Sequence, residues 1–326
     1  MTRIVAPSRL HFGLFNLPSP EHEHWPGIDG LPGLPVRQYG GVGLMIDRPG
    51  LTLRVECSDN WQSEGPLANR ALEFARRFMG DDVRRWKIIV EDAPPEHAGL
   101  GVGTQLGLSV AKALAVETGH ADWLAPELAR RVGRGDRSAI GIHGFDRGGL
   151  IVEGGKTSSE MISPLIGRFD FPTDWAIVLA SPKPNTGWHG IREREAIAGI
   201  RPSPAETAAL CRLVLLNLLP ALAARDFGAF GDALYEYNAR VGDVFAPVQG
   251  GRYSSLAVES CIQRFRQLGV KGTGQSSWGP TVFAIVPKEQ AESVRENANA
   301  PAIVAGASVG VSLESLMIVA TANNPR

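Results

Sequence analysis

The sequence predicts an α+β protein of two lobes. Three observations predict it. Strand-like and helix-like runs mix along the chain without strict alternation. A glycine-rich turn runs into an alanine-rich helix at residues 97–119. The 326 residues suffice for two lobes of about 150 each. The lobes are expected to span 1–155 and 156–326, and no internal repeat or low-complexity tract interrupts them.

TRIVAPSRLHFGLFN (2–16) opens as a β-branched strand and turns polar at Ser8, Arg9 and His11. Residues 17–40, rich in Pro and Gly, read as a surface loop. GGVGLMI (40–46) and LTLRVEC (51–57) read as paired strands about the turn DRPG. A helix follows at about 66–79, with Leu67, Ala71, Phe74 and Phe78 on one stripe. RWKIIVEDAPP (85–95) is a strand closed by a proline pair. In HAGLGVGTQLGLSVAKALAVETG (97–119), Thr104 is the expected N-cap, and Leu106, Val110, Ala113 and Leu114 recur at helical spacing. A helix at 125–133 leads into RGDRSAIGIHGFDRGGLIVEGG (134–155), which is dense in glycine and ends as a strand. In the second lobe WAIVLASPKP (175–184) reads as a buried strand, and helices dominate 204–246 and 254–268. VKGTGQSSWGPTVFAIVP (270–287) reads as strand, turn, strand, before a charged helix at 288–298 and a closing strand near 315–320.

Composition narrows the function classes. Hydrophobic residues make up 44% and charged residues 21%, and the formal charge is −1, so neither a nucleic-acid surface nor a polybasic membrane patch is expected. Any affinity for an anion must come from a local site. Cys57, Cys211 and Cys261 lie far apart with no C-x-x-C pair, which fits a reducing compartment and argues against disulfides or a zinc cluster. The first residues lack the pattern of a signal peptide. The apolar run 210–224 is broken by Arg212, Asn217 and Pro220, and is expected to be core or a homodimer interface rather than a membrane span. A cytoplasmic protein is the expectation. His22 and His24 in EHEH lie in a Pro-rich loop without further ligands and are not read as a metal site.

The glycine-rich turn is the first candidate site. A helix start presents backbone N–H groups without intrahelical partners and about half a positive charge. Gly99, Gly101 and Gly103 let that backbone approach an oxygen closely, giving an anion site that needs no cationic side chain. The spacing is neither G-x-x-x-x-G-K-[ST] nor G-x-G-x-x-G, so neither a P-loop nor a dinucleotide fold is implied.

PPEHAGLGVGTQ resembles the phosphate loop of the GHMP kinase superfamily, P-x-x-x-G-L-G-S-S-A, matching at Pro95, Gly99, Leu100 and Gly101. Val102 and Gly103 replace the two serines whose hydroxyls, in those kinases, help hold nucleotide phosphates and magnesium. APSRLHFGLFN (6–16), HAGLGVGTQ (97–105), RSAIGIHGFDRGGLIVEGG (137–155), HGIREREAI (189–197) and KGTGQSSWGPTVFAIV (271–286) together resemble one branch, the β-ribofuranosylaminobenzene 5′-phosphate synthases. The resemblance implies a two-lobed GHMP kinase fold, with a ribosomal-protein-S5-like first lobe and a ferredoxin-like second lobe. It implies condensation of 5-phosphoribosyl 1-diphosphate (PRPP) with 4-aminobenzoate or 4-hydroxybenzoate, releasing CO2 and diphosphate, on the way to methanopterin-type cofactors. Mg2+ would accompany the diphosphate, and no NAD, flavin or haem is called for. An ATP-dependent small-molecule kinase is the second reading, and a non-catalytic phosphometabolite-binding homologue the third.

The resemblance also assigns candidate residues. Phosphate and PRPP would be held by Arg9, Gly99, Gly101, Gly103, Thr104, Gln105 and Ser138, with Arg9 suited to bidentate binding. Asp146, His11 and Arg137 are the catalytic candidates, Asp146 as a carboxylate that steadies the anomeric centre or binds magnesium. Gln275, Ser276, Ser277 and Trp278 would wall the aromatic acid, with Trp278 stacking on its ring. NTGWHG (185–190) is a further wall, whereas Arg192 and Arg194 read as a solvated helix face.

Overall fold

The computed structural model describes residues 1–17, 24–25, 34–182, 200, 203–299, 302–304, 307–309 and 313–323. EHEH for the most part, NTGWHG, Arg192 and Arg194 lie outside the described residues.

The first lobe is built on a six-stranded sheet. Its strands are β1 (Thr2–Leu14), β4 (Gly41–Ser58), β5 (Gln62–Glu64), β6 (Arg85–Asp92), β7 (Leu150–Glu153) and β8 (Leu165–Phe169), while β2 (His24–Trp25) and β3 (Leu34–Pro35) form a separate small pair. The two runs expected as a hairpin about DRPG are instead one strand, β4. The reason is β1, which pairs with both halves: Ala6 stands opposite Leu51 and Ser8 opposite Ile46, so residues 47–50 bulge against Pro7. β4 carries β7 along its first half and β6 along its second. Because β8 pairs with β7, the first sheet reaches Phe169, past the boundary expected at 155.

Four helices complete this lobe: α1 (Ala68–Met79), α2 (Val102–Glu117), α3 (Ala125–Val132) and the short α4 (Ile140–His143). α2 begins two residues before Thr104, with Gly101 at its N-cap in left-handed conformation. Side chains of α2, among them Leu106, Val110 and Leu114, pack with Leu51, Leu53 and Val55 of β4 and with α1 and α3. The helix is therefore buried over most of its surface and cannot shift without disturbing the core.

The second lobe has a four-stranded antiparallel sheet in the order β10 (Gly272–Gln275), β11 (Val282–Pro287), β9 (Trp175–Pro182), β14 (Leu313–Val319). The short strands β12 (Ala302–Val304) and β13 (Ala307–Val309) pair separately. The helices are α5 (Pro204–Leu213), α6 (Leu219–Ala223), α7 (Phe227–Gln249), α8 (Leu256–Gln267) and α9 (Ala291–Asn299). Alternation splits the sheet's two faces. Ile177, Leu179, Phe283 and Ile285 join Leu10, Phe12 and Leu44 of the first lobe in one core, together with Phe230, Leu234 and Tyr237 of α7. Val178, Ala180, Val282 and Ala284 face Val258, Phe265 and Val294 of α8 and α9 in another. The lobes thus share a continuous apolar core, and β1 runs along their junction.

Arg212, Asn217 and Pro220 do not interrupt the apolar run of the second lobe. α5 continues through a π-helical stretch, Val214–Leu218, into α6, and Pro204–Ala223 is long and apolar enough by length and composition to cross a bilayer. Here Leu210, Val214, Leu218 and Leu222 enter the shared core, while Leu215 and Leu216 stand exposed. The capping box at Ser203 and Glu206 fixes its start.

Candidate active site at the lobe junction

Successive side chains of a strand point to opposite faces, so Arg9 and His11 share a face of β1. The glycine turn is moored to that strand. The Arg9 amide donates to the Leu100 carbonyl at 3.1 Å, and Arg9 Nη1 donates to the Gly99 carbonyl at 3.0 Å. Gly99 and Gly101 have φ of +82° and +73°, which side chains rarely adopt. A Cβ on Gly101 would lie 2.7 Å from Arg9 Cγ, so the arginine stem covers the turn.

The turn is also gripped from the second lobe. Ser276 Oγ donates to the Gly99 carbonyl at 2.7 Å and accepts from the His11 amide at 3.0 Å. The Ser277 amide donates to the His11 carbonyl at 3.0 Å. Asn238 of α7 ties both sides: its Nδ2 donates to the carbonyls of Phe12 and Gln275 at 2.8 and 2.9 Å, and its Oδ1 accepts from the Gln275 amide at 2.9 Å. Tyr237 donates to the Gly13 carbonyl at 2.8 Å. One set of hydrogen bonds therefore registers the anion turn, β1 and the 275–279 loop against one another.

Arginines surround the mouth of α2, so its positive character is not the backbone's alone. A Cβ on Gly103 would collide with the guanidinium of Arg70, which reaches over from α1 and pairs with Glu96. Arg134 Nη2 donates to Thr104 Oγ1 at 3.1 Å. Burial, then repulsion from Arg70 and Arg137, holds Arg134 below its ordinary range, with Asp136 opposing. Crowding of like charges is the strain that a polyanion relieves. His11 lies in the same field: burial, then the charges of Arg9 and Arg137, holds its imidazole well below the usual value. It is neutral at physiological pH. Val102, where the kinases carry a hydroxyl, is only 5% exposed and belongs to the shared core with Leu100. Its side chain does not line the mouth.

Glu153, at the end of β7, is completely buried. It accepts from Ser138 Oγ and from the Ala139 amide, both at 2.6 Å. Burial pushes its carboxyl up to about 7, against those hydrogen bonds and the charge of Arg9, which pull it down. Because the folded value is raised, the group's stabilising contribution is complete below the unfolded value and is lost as pH rises through about 7.

The expected residues thus separate. Arg9, His11, Gly99, Gly101, Ser276 and Ser277 meet at the junction, Thr104 joins through Arg134, and Arg137 acts on His11 through its charge. Gln105 Nε2 donates to the Gly141 carbonyl at 2.9 Å, fastening α2 to the segment that carries Arg137 and Ser138. Gln275 is occupied within its own lobe: Oε1 accepts from the Ser254 amide and Nε2 donates to the Gly279 carbonyl. Trp278 meets Phe245 edge-on, with ring centroids 5.0 Å apart. Asp146, the catalytic candidate, makes a structural contact. Its Oδ2 accepts from the Ala125 amide at 2.9 Å, at the first residue of α3. Asp146→Ala is expected to lower stability by about 1 kcal/mol, the usual loss for a helix-start acceptor. Its kcat/KM should stay within about twofold of the parent, as thermal unfolding beside steady-state kinetics would show. Arg70, Arg134, Glu153 and Asn238 are the residues that spacing did not single out.

The family described as "GHMP kinases C terminal" matches residues 218–303. The chain is 33% identical over 301 residues to the β-ribofuranosylphenol 5′-phosphate synthase of Archaeoglobus fulgidus, covering 87% of this chain and 88% of that protein. With the protein of the same name from Methanothermobacter thermautotrophicus it shares 31% identity over 312 residues, 88% of this chain and 89% of the other. The chain belongs to the β-ribofuranosylphenol 5′-phosphate synthase family. Its fold is that of the GHMP kinases. The homoserine kinase of Cytophaga hutchinsonii superposes with a TM-score of 0.64 at 13% identity, over 99% of this chain and 95% of that one. In this family member Val102 is turned into the core, and Arg9, Arg70 and Arg134 stand about the start of α2.

Proposed function

We propose that this chain is a PRPP-dependent, decarboxylating phosphoribosyltransferase acting on a 4-substituted benzoate. The observation that carries the reading is the ring of Arg9, Arg70, Arg134 and Arg137 about a glycine turn whose kinase hydroxyls are absent, in a member of this family. Such a mouth suits two phosphate-bearing ends of one small sugar better than it suits transfer of a phosphoryl group. The relatives' name specifies a phenol product, so 4-hydroxybenzoate is the first acid to supply.

The chemistry balances without a covalent enzyme intermediate. The bond from the anomeric carbon to the diphosphate oxygen breaks, and diphosphate leaves with the electron pair. The ring carbon bearing the carboxylate forms the new C–C bond. The ring–carboxylate bond then breaks, CO2 leaves, and its electron pair restores the aromatic ring. In this scheme Arg9, Arg137 and the α2 backbone hold phosphate oxygens and stabilise the departing charge. His11, kept neutral by its setting, takes the para hydroxyl as a hydrogen-bond acceptor and aims the ring. The Ser276 hydroxyl and the Ser277 amide hold the His11 backbone from the second lobe. Among the described residues no group of three or more His, Cys, Asp or Glu stands ready for a metal. Arginines do not suit a hard cation, so the residues present do not fit a protein-held Mg2+; the ion belongs on the diphosphate as part of the substrate. Soluble metabolites as substrates fit a cytoplasmic enzyme, and the exposed Leu215 and Leu216 are where a homodimer contact would form.

The test is release of CO2 from carboxyl-labelled 4-hydroxybenzoate and 4-aminobenzoate with PRPP and Mg2+, beside a tube holding ATP. Release that requires PRPP is expected, faster from the hydroxy acid. PRPP at about 100 times its Kd should stabilise the protein by roughly 2.7 kcal/mol, and ATP should not. A folded protein that releases nothing and is stabilised only by ATP would return the chain to the kinases.

A further inference from the structure

The mechanism above makes no use of the buried carboxyl of Glu153. Glu153 touches no part of the mouth, yet its two carboxylate oxygens take the Ser138 hydroxyl and the Ala139 amide at 2.6 Å each. Those two residues follow Arg137 directly and precede α4. Gln105 holds the next link, the Gly141 carbonyl, from the first turns of α2. The segment that presents Arg137 is therefore clipped at one end by Glu153 and at the other by the anion helix.

We propose that Glu153 is a positioning residue whose ionised carboxylate holds the Ser138–Ala139 segment, so that Arg137 is placed for the anion only when Glu153 has lost its proton. The inference rests on the reading of the junction as a polyanion site. A proton turns one of these bonds round, the carboxyl then donating to Ser138 Oγ, or takes the acceptor from the Ala139 amide, and in either case both contacts lose the strength that the carboxylate's charge gives them. Several groups bear on this proton. The hydroxyl of Ser138, the Ala139 amide, the hydroxyl of Ser163 and the charge of Arg9 on β1 favour the anion. Lys156, just beyond β7, and Tyr237 on α7 feel the carboxylate's charge. Burial opposes them all and brings the titration to about 7, inside the working range. His11 at the mouth and His143 on α4 are both held below their usual values, chiefly by burial, the opposite direction to Glu153.

The probe is inorganic diphosphate, bound calorimetrically from pH 5.5 to 8.5 to the parent protein, E153Q and S138A. Glutamine keeps the size of the side chain and mimics the protonated form. The parent is expected to bind about tenfold more tightly than E153Q at pH 8.5, with the ratio falling toward one at pH 5.5. Diphosphate's own titration is common to both proteins and cancels in that ratio. S138A removes a bond that favours the anion, so its inflection should move to higher pH, a displacement that a merely structural role does not produce. A ratio independent of pH, or an S138A inflection left where the parent's is, overturns the proposal. If E153Q does not fold, the S138A displacement decides. Binding asks nothing of ribosyl transfer: pH-linked diphosphate binding without CO2 release keeps this inference and removes the transferase, whereas no diphosphate binding at any pH overturns both.

Discussion

Gly279→Ala is expected to lower kcat/KM for PRPP about a thousandfold while each sheet keeps its own core. The added methyl would collide with the Ala98 carbonyl carbon and the Gly99 amide nitrogen, both backbone atoms that no rotamer change can move. Gly279 is itself held, its amide donating to the Ser276 carbonyl and its carbonyl accepting from Gln275. Relief must come from parting the 276–279 loop and the anion turn. That parting breaks the Ser276–Gly99 hydrogen bond and loosens the Ser277–His11 bond. A misplacement of about 1 Å at a reacting centre costs on the order of a hundredfold, and here both the anion turn and His11 lose a restraint. The cores behind β4 and behind β9 lie away from this contact, so secondary structure by circular dichroism should be unchanged. Steady-state kinetics with PRPP varied is the measurement. Near-parental kinetics in G279A would mean that the loop does not position the turn.

Much of this architecture is legible in the chain because local chemistry dictates it. The stripe Leu67, Ala71, Phe74, Phe78 and the run of Leu106, Val110 and Leu114 mark α1 and α2 through helical spacing, and those side chains do pack together. β9 and β11 show themselves as apolar runs because both faces of their sheet are covered. What spacing misreads depends on partners far away in sequence. DRPG has the composition of a turn, yet β1 pairs across it and makes it a bulge. Thr104 is a good capping type, but Gly101 begins the helix because only a left-handed residue can reverse the chain so close to Arg9.

The site divides the same way. Glycines announce the anion turn, whereas Arg70 and Arg134 give no local sign that they converge on it, since one lies on a helix and the other opens a loop. Glu153 did leave a trace: it ends the apolar run Leu150–Val152, and a carboxylate there must find donors or be protonated. An aspartate among glycines has the same composition whether it faces a substrate or a helix start, and Asp146 reaches the start of α3.

Arg9→Met should weaken PRPP binding about a hundredfold, close to 3 kcal/mol, the range found when one member of a buried charged contact is truncated. Methionine keeps most of the stem over Gly101 but removes the donor to the Gly99 carbonyl and the charge on the mouth. The pH dependence should change with it, and this separates electrostatics from packing. Arg9 lowers the pKa of His11 and that of Glu153. Without it both must rise: Glu153 from about 7 upward, His11 from well below its usual value toward it. The ionised Glu153 is then scarcer at neutral pH and the acid limb of binding moves to higher pH. Arg9→Lys keeps the charge without the planar fork, so it should restore the position of that limb while recovering only part of the affinity. Binding measured across pH for the three proteins decides the matter: equal inflections in parent, R9M and R9K would show that Arg9 acts on the turn by packing alone.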